Sequence, residues 1–198
     1  MSVHRVLSTA DYRRLPWKNG RGRTTEIATW PAAASLDAFV WRISIADIEC
    51  DGPFSSFPGI DRTIVLIAGA GMRLAGDGHD ADLRARFDPY QFSGDETIGC
   101  ALVEGPVRDF NLMVRRGHAR GAITIVSDAG VRIPPARFRL CYAATGAHEC
   151  LLGGYPPIDI AADHALLVED AAGNHTTFAV NPLGCDAVAL VASIELAA

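Results

Sequence analysis

The chain has 198 residues, 49% of them hydrophobic and 21% charged, with a formal net charge of -5. That composition excludes whole-chain disorder, and its dispersed basic residues exclude a protein built to grip a phosphate backbone, so no nucleic-acid partner is expected. The longest apolar run, at 64–70, is strand-sized, and Met1-Ser2-Val3-His4-Arg5 leads into no apolar stretch; neither membrane span nor secretory signal is expected, and a cytoplasmic location is. Helical spacing is confined to residues 9–15, where Ser8 or Thr9 is placed to cap a short helical segment. Period-two alternation then takes over. Residues 39–46 put Phe39, Trp41, Ile43 and Ile45 on one face, assigned to packing, and Arg42 and Ser44 on the other. Residues 61–68 form a continuous apolar and β-branched run that stops at Gly69-Ala70-Gly71. Further strands are predicted at 101–103, 109–115, 122–127, 138–144, 165–169, 176–180 and 187–196. Many short strands with regular Gly, Pro and Asp turns predict an all-β barrel or sandwich.

Cys50, Cys100, Cys141, Cys150 and Cys185 are odd in number, widely spaced and form no Cys-x-x-Cys pair. Buried reduced thiols are expected, not a disulfide framework or a zinc site. An internal echo runs through the strands. Residues 62–70 can be laid on 139–147, and the same offset lays 109–114 on 186–191. This favours two duplicated barrels, divided at 118/119 into an N-terminal unit (1–118) and a C-terminal unit (119–198). The first copy carries polar Asn111 and the sulfur of Met113 where the second has Val188 and Leu190. A polar interior needs a partner to satisfy it, so a ligand pocket is expected in the first unit and a mainly structural role in the second.

Four stretches concentrate the chemistry. Trp17-Lys18-Asn19-Gly20-Arg21-Gly22-Arg23-Thr24-Thr25-Glu26 lacks the Gly-Lys-Ser/Thr of a phosphate loop, but sets an aromatic, a cation, an amide and a carboxylate close together. Arg42 and Ser44 share a strand face that looks either to solvent, the ordinary outcome, or into a barrel mouth. Residues 51–62 are stiffened by two Pro–Gly punctuations, and Asp61 beside Arg62 reads most simply as a local ion pair. In 108–116, Asp109, Asn111, Met113 and Arg115 share one face. Two strands with semi-polar faces suggest a common wet cavity.

Trp17-Lys18-Asn19-Gly20 with Thr25-Glu26, the run 41–46, the run 52–62 and Asp109-Phe110-Asn111-Leu112-Met113 resemble, in order, the signature segments of the HutD/Ves family. The resemblance is good from residue 1 to about 120 and holds only in outline beyond. It implies a two-barrel cupin, or bicupin, of RmlC-like jelly rolls. It also implies a link to histidine utilisation, where HutD-type members bind formylglutamate and moderate the pathway, whereas Ves-type members are stress-related. Arg21 interrupts the usual Gly-Gly run and adds positive charge there.

The residues fit a small acidic ligand. Arg42, Arg62 and Lys18 suit carboxylates, with Glu26 and Asp61 as competing partners within the protein. Ser44, Ser55, Asn19 and Asn111 suit an amide or formyl oxygen, and Trp17, Phe54, Phe57 and Met113 an apolar wall. Removing Arg42 is expected to weaken binding and leave folding largely intact.

His4, His79, His118, His148, His164 and His175 are scattered, with no His-x-His pair of the kind cupin metal sites use, and His79 reads as a hairpin tip. No metal and no other cofactor are expected. No Gly-x-Ser-x-Gly elbow is present. A binding protein is therefore the first reading. The alternatives are a metal-independent isomerase or lyase with Lys18 or Glu26 as acid or base, and a scaffold. A homodimer is an open expectation, since barrel edges invite pairing.

Overall fold

The computed structural model describes residues 2–17, 22–76, 78–171 and 175–197. All regular elements among them are strands. They fall into two compact units, residues 12–119 and residues 1–11 with 120–198. The first strand, β1 (Val3–Leu7), belongs to the second of these, because it pairs antiparallel with β17 (Ala165–Glu169). The expected division at 118/119 had grouped it with the other unit.

In residues 12–119, β2 (Arg13–Pro16), β3 (Gly22–Trp30), β4 (Trp41–Ile48), β11 (Val107–Arg115), β6 (Ile60–Ala68) and β9 (Pro89–Ser93) form one sheet in that order. A second sheet runs β5 (Gly52–Pro53), β10 (Gly99–Leu102), β7 (Met72–Gly76) and β8 (His79–Leu83). Ala46, Ile48, Ile64 and Leu66 of the first sheet meet Met72, Leu74 and Cys100 of the second in one apolar core. The segment 9–15 is not helical. Ser8 N and Oγ both donate to Asp11 Oδ2 (2.8 and 2.7 Å), closing a turn, and Arg13–Pro16 then pairs with β3. Ser8 caps no helix, since its hydroxyl donates to the Asp11 carboxylate and, among the described residues, accepts from no backbone N–H of a following turn. A strand partner and Pro16 take the backbone elsewhere.

In the other unit, β12 (Ala119–Val126), β19 (Val188–Leu196), β14 (Phe138–Thr145), β17 and β1 form one sheet, and β13 (Val131–Ile133), β18 (Phe178–Pro182), β15 (His148–Leu152) and β16 (Ile158–Ile160) the other. The pairing order of β4 to β11 is repeated, strand for strand, by β12 to β19. The register aligns the copies. A bulge separates the pairs Arg108↔Ala68 and Asp109↔Leu66, and another separates Thr145↔Val188 and Ala143↔Ala189. Arg62 therefore corresponds to Arg139, as the sequence echo had it. Asp109 corresponds to Ala189 and not to Asp186, so the second echo is displaced by a loop of different length.

All five cysteines are free thiols; Cys100, Cys141 and Cys150 are buried, but Cys50 and Cys185 lie exposed in connections between strands. His148 is fully buried, and neither ring nitrogen has a hydrogen-bond partner among the described residues. Burial pushes its pKa below the ordinary value, so the folded chain resists the proton that the unfolded chain accepts. Its contribution to stability is complete above about pH 6.5 and is lost as the pH falls below that, by up to about 1.4 kcal/mol per pH unit. Urea unfolding at pH 7.5 and 5.5 is expected to show this loss, and His148→Leu to reduce it. Equal slopes for the two proteins would refute the assignment.

Candidate functional site

The central strand of the larger sheet in residues 12–119 is β11, with β4 on one side and β6 on the other. Its inward residues define three cross-strand rows. Met113 lies opposite Arg42 and Arg62, Asn111 opposite Ser44 and Ile64, and Asp109 opposite Ala46 and Leu66. The first row is cationic, the second neutral and polar, the third acidic. These rows form one wall of a cavity of about 530 Å³. Trp17, Phe54, Ser55 and Phe57 contribute to the rest of its lining, as do Leu15, Pro16, Thr24, Leu36, Ile48 and Pro53.

Nine of the predicted residues thus line one cavity: Trp17, Arg42, Ser44, Phe54, Ser55, Phe57, Arg62, Asn111 and Met113. Glu26 lies one shell back, on β3 opposite Ser44. Lys18 and Asn19 lie outside the described residues, as does the side chain of His79. The ordinary outcome for Arg42 and Ser44, facing solvent, does not hold, for they are 5% and 1% exposed. The packing face behaves as expected, with Trp41 1% exposed.

The two arginines are held differently. Arg42 Nε donates to Glu26 Oε2 at 2.7 Å, and its Nη1 reaches Ser44 Oγ at 3.3 Å and Met113 Sδ at 3.8 Å. Both ends of this ion pair are buried. Arg62 does not pair with Asp61, because neighbours on a strand point to opposite faces. Asp61 turns outward to Arg116 Nη2 at 2.8 Å. Arg62 turns inward among Phe54, Phe57 and Phe92, its guanidinium carbon 4.8 to 5.6 Å from their ring centres. Among the described residues its one hydrogen bond is Nη1 to the Ser55 carbonyl at 3.4 Å, and Nε has no partner. Burial lowers its pKa to about 10, which still leaves it charged at neutral pH.

Ser55 therefore acts through its backbone oxygen toward Arg62. The rim loop is fixed by Phe54 N to Ile98 O (2.8 Å) and Phe57 N to Gly94 O (2.7 Å). Trp17 Nε1 donates to Thr24 Oγ1 at 2.8 Å, which orients the indole at the cavity edge. Asn111 Oδ1 is buried without a partner among the described residues. The residue most clearly missed from the predicted set is Asp109. It is 1% exposed, its Oδ1 has no partner among the described residues, and burial pushes its carboxyl up to about 7. The alternation that selected Asn111 and Met113 places it on the same face. Among the described residues, no three His, Cys, Asp or Glu side chains gather as a metal would require.

The duplicate unit gives a reference for Arg62. Its counterpart Arg139 is fully buried and donates Nη2 to Asp170 Oδ2 at 2.6 Å, while Asp170 Oδ1 accepts from Ser2 Oγ. Asp170 N bonds to Arg137 O at 3.0 Å, as Gly94 N bonds to Ile60 O at 2.7 Å. Gly94 thus occupies the place of Asp170. A Cβ there would stand 2.6 Å from the Phe57 carbonyl and 2.8 Å from that of Ile60, so this position supplies no side chain to Arg62.

Two layered sheets per unit and an enclosed polar wall on one sheet define an all-β protein of cupin type. Oxalate decarboxylase from Lactobacillus farciminis, a solved structure only 7% identical, has this fold with a TM-score of 0.65 over 96% of this chain and 85% of its own. The HutD family model matches residues 9–184, and the chain belongs to the HutD family, which is associated with histidine utilisation. It is 40% identical over 154 residues to an uncharacterised 21.2 kDa protein in the hutC 3' region of Pseudomonas putida, covering 78% of this chain and 80% of that one. Protein Ves of Cronobacter sakazakii is 33% identical, over 70% of this chain and 77% of its own. Among solved structures, a conserved protein of unknown function from Pseudomonas aeruginosa PAO1 is 36% identical with a TM-score of 0.87, covering 99% of this chain and all of the other. HutD from Pseudomonas fluorescens SBW25 is 32% identical with a TM-score of 0.82, over 99% and 100% of the two chains.

Proposed function

We propose that the chain binds a small acidic metabolite, formylglutamate or a close relative, in the cavity of residues 12–119 and thereby moderates histidine utilisation in the cytoplasm. The other unit is structural. The supporting observation is Arg62, a buried cation aimed into a cavity with no carboxylate bound to it among the described residues. In the duplicate unit the same arginine is neutralised from within by Asp170. A buried guanidinium favours an anion that offers paired hydrogen bonds, and a ligand carboxylate supplies it. Ser44 and Asn111 offer donors and acceptors for an amide or formyl group, and the aromatic rim surrounds the carbon chain.

Calorimetric titration of chelator-treated protein with formylglutamate is expected to show saturable binding, stronger than with glutamate or urocanate. Silence with all three would sever the link to histidine breakdown. A metal-independent enzyme is the second reading, favoured by the elevated carboxyl of Asp109 inside the cavity. Glu26, a second acid beside the cavity wall, is occupied by Arg42 and offers no opposed base. Formylglutamate recovered unchanged after prolonged incubation with the protein favours binding; a converted product favours the enzyme.

A further inference from the structure

We propose that Asp109 binds the ligand as a protonated acid, donating a hydrogen bond to a ligand oxygen, so that ligand uptake at alkaline pH draws in a proton. This rests on the metabolite-binding reading above and assigns a second anchor to the same cavity.

The geometry sets the two anchors apart. Asp109 stands two rows from the pair of arginines, and each row spans about 7 Å of strand. The side chains of Arg62 and Asp109 are nonetheless close enough for their charges to interact, so a small ligand held by a carboxylate at Arg62 can pass Asn111 and reach Asp109 with its other end. Among the described residues, Asp109 Oδ1 has no hydrogen-bond partner. The neighbours in its own row are Ala46 and Leu66, which offer nothing to a charge. A buried carboxylate without a donor is costly, whereas a neutral acid has a proton to give and needs only an acceptor.

The charges around it come from each neighbouring strand. Arg62 on β6 favours the carboxylate, and Asp47 on β4 opposes it. Asp47 is itself held by Arg23 (2.8 Å) and Arg108 (3.2 Å). Arg42 on β4 and Glu26 on β3 are engaged with each other. Cys100 on β10 interacts with Asp109 and with Asp51, and burial pushes its thiol up to about 12, so it stays neutral. Burial outweighs Arg62, and the Asp109 carboxyl rises to about 7. Below that pH the donor proton is in place; above it the proton must be restored before a ligand oxygen can dock.

The test is calorimetric titration with formylglutamate from pH 6 to 8.5, in two buffers of different ionisation enthalpy, on wild type and on Asp109→Asn. For wild type the Kd is expected to be flat below about pH 7 and to rise toward tenfold per pH unit above it, with about one proton taken up per ligand at the alkaline end. The ligand's own carboxylates are ionised throughout this range. Asp109→Asn keeps a donor at every pH, so its Kd is expected to be flat with no proton uptake. The wild-type proton count does not depend on the variant folding. Binding that is flat and proton-neutral in wild type overturns this assignment and leaves the metabolite-binding reading standing. No binding at any pH overturns both.

Discussion

Replacing Arg42 with alanine is expected to lower folding stability by about 3–5 kcal/mol, the usual consequence of removing one partner of a buried ion pair. Glu26 is 8% exposed, and its bond to Arg42 Nε is 2.7 Å long. Without the guanidinium, the carboxylate stays buried beside Ser44 with no counter-charge, and Ser44 Oγ and Met113 Sδ lose a donor. Folding was expected to survive this change because alternation reveals which face Arg42 occupies but not what stands beside it there. The check is urea unfolding of Arg42→Ala, with Glu26→Gln added in a second variant. The single change should shift the midpoint strongly downward, and the added Glu26→Gln should recover a large part of the loss. A single variant as stable as wild type would mean that the pair is not a structural unit.

What the sequence reveals, and what it hides, follows from how far apart the partners are. Alternation along 39–46 and 109–115 is a local signal, and it places Arg42, Ser44, Asn111 and Met113 on one wall because β4 and β11 are paired neighbours. The run 61–68 is apolar on both faces, so it gives no such signal for Arg62. Only the rule that adjacent strand residues diverge separates it from Asp61. Glu26 reaches the site through a bulge in β3 between Glu26 and Ala28, an irregularity that period-two counting does not anticipate. The placement of β1 beside β17 depends on pairing Val3 with Glu169, a contact with no trace in either segment alone. Asp109 is a different kind of omission. Its face was legible, but an acid next to Arg108 looks like a surface pair, and only the fold shows Arg108 turned to Asp47 while Asp109 is enclosed.

Arg62→Met should behave in the opposite way to Arg42→Ala. No carboxylate among the described residues is hydrogen-bonded to Arg62, and the buried Asp109, which Arg62 favours as a carboxylate, can take up a proton when the cation is gone, so its removal need leave no buried charge behind. Methionine keeps much of the volume against Phe54, Phe57 and Phe92 and can still contact their rings. The thermal midpoint is expected to stay level or to rise, by about 1 kcal/mol in stability terms, since a well-packed apolar residue in place of a buried charge is often neutral or stabilising. Formylglutamate affinity is expected to fall roughly ten- to a hundredfold, the loss of a charge-assisted hydrogen bond. Thermal unfolding and calorimetry on one preparation separate the two effects. A large drop in midpoint with unchanged affinity would make Arg62 a structural residue and remove the main support for an anion site. The contrast with Arg139 explains why stability and binding divide here. Where Asp170 follows β17, the arginine is locked into the fold; where Gly94 follows β9, backbone carbonyls 2.6 and 2.8 Å from any Cβ keep that position bare, and the charge is left for a ligand to meet.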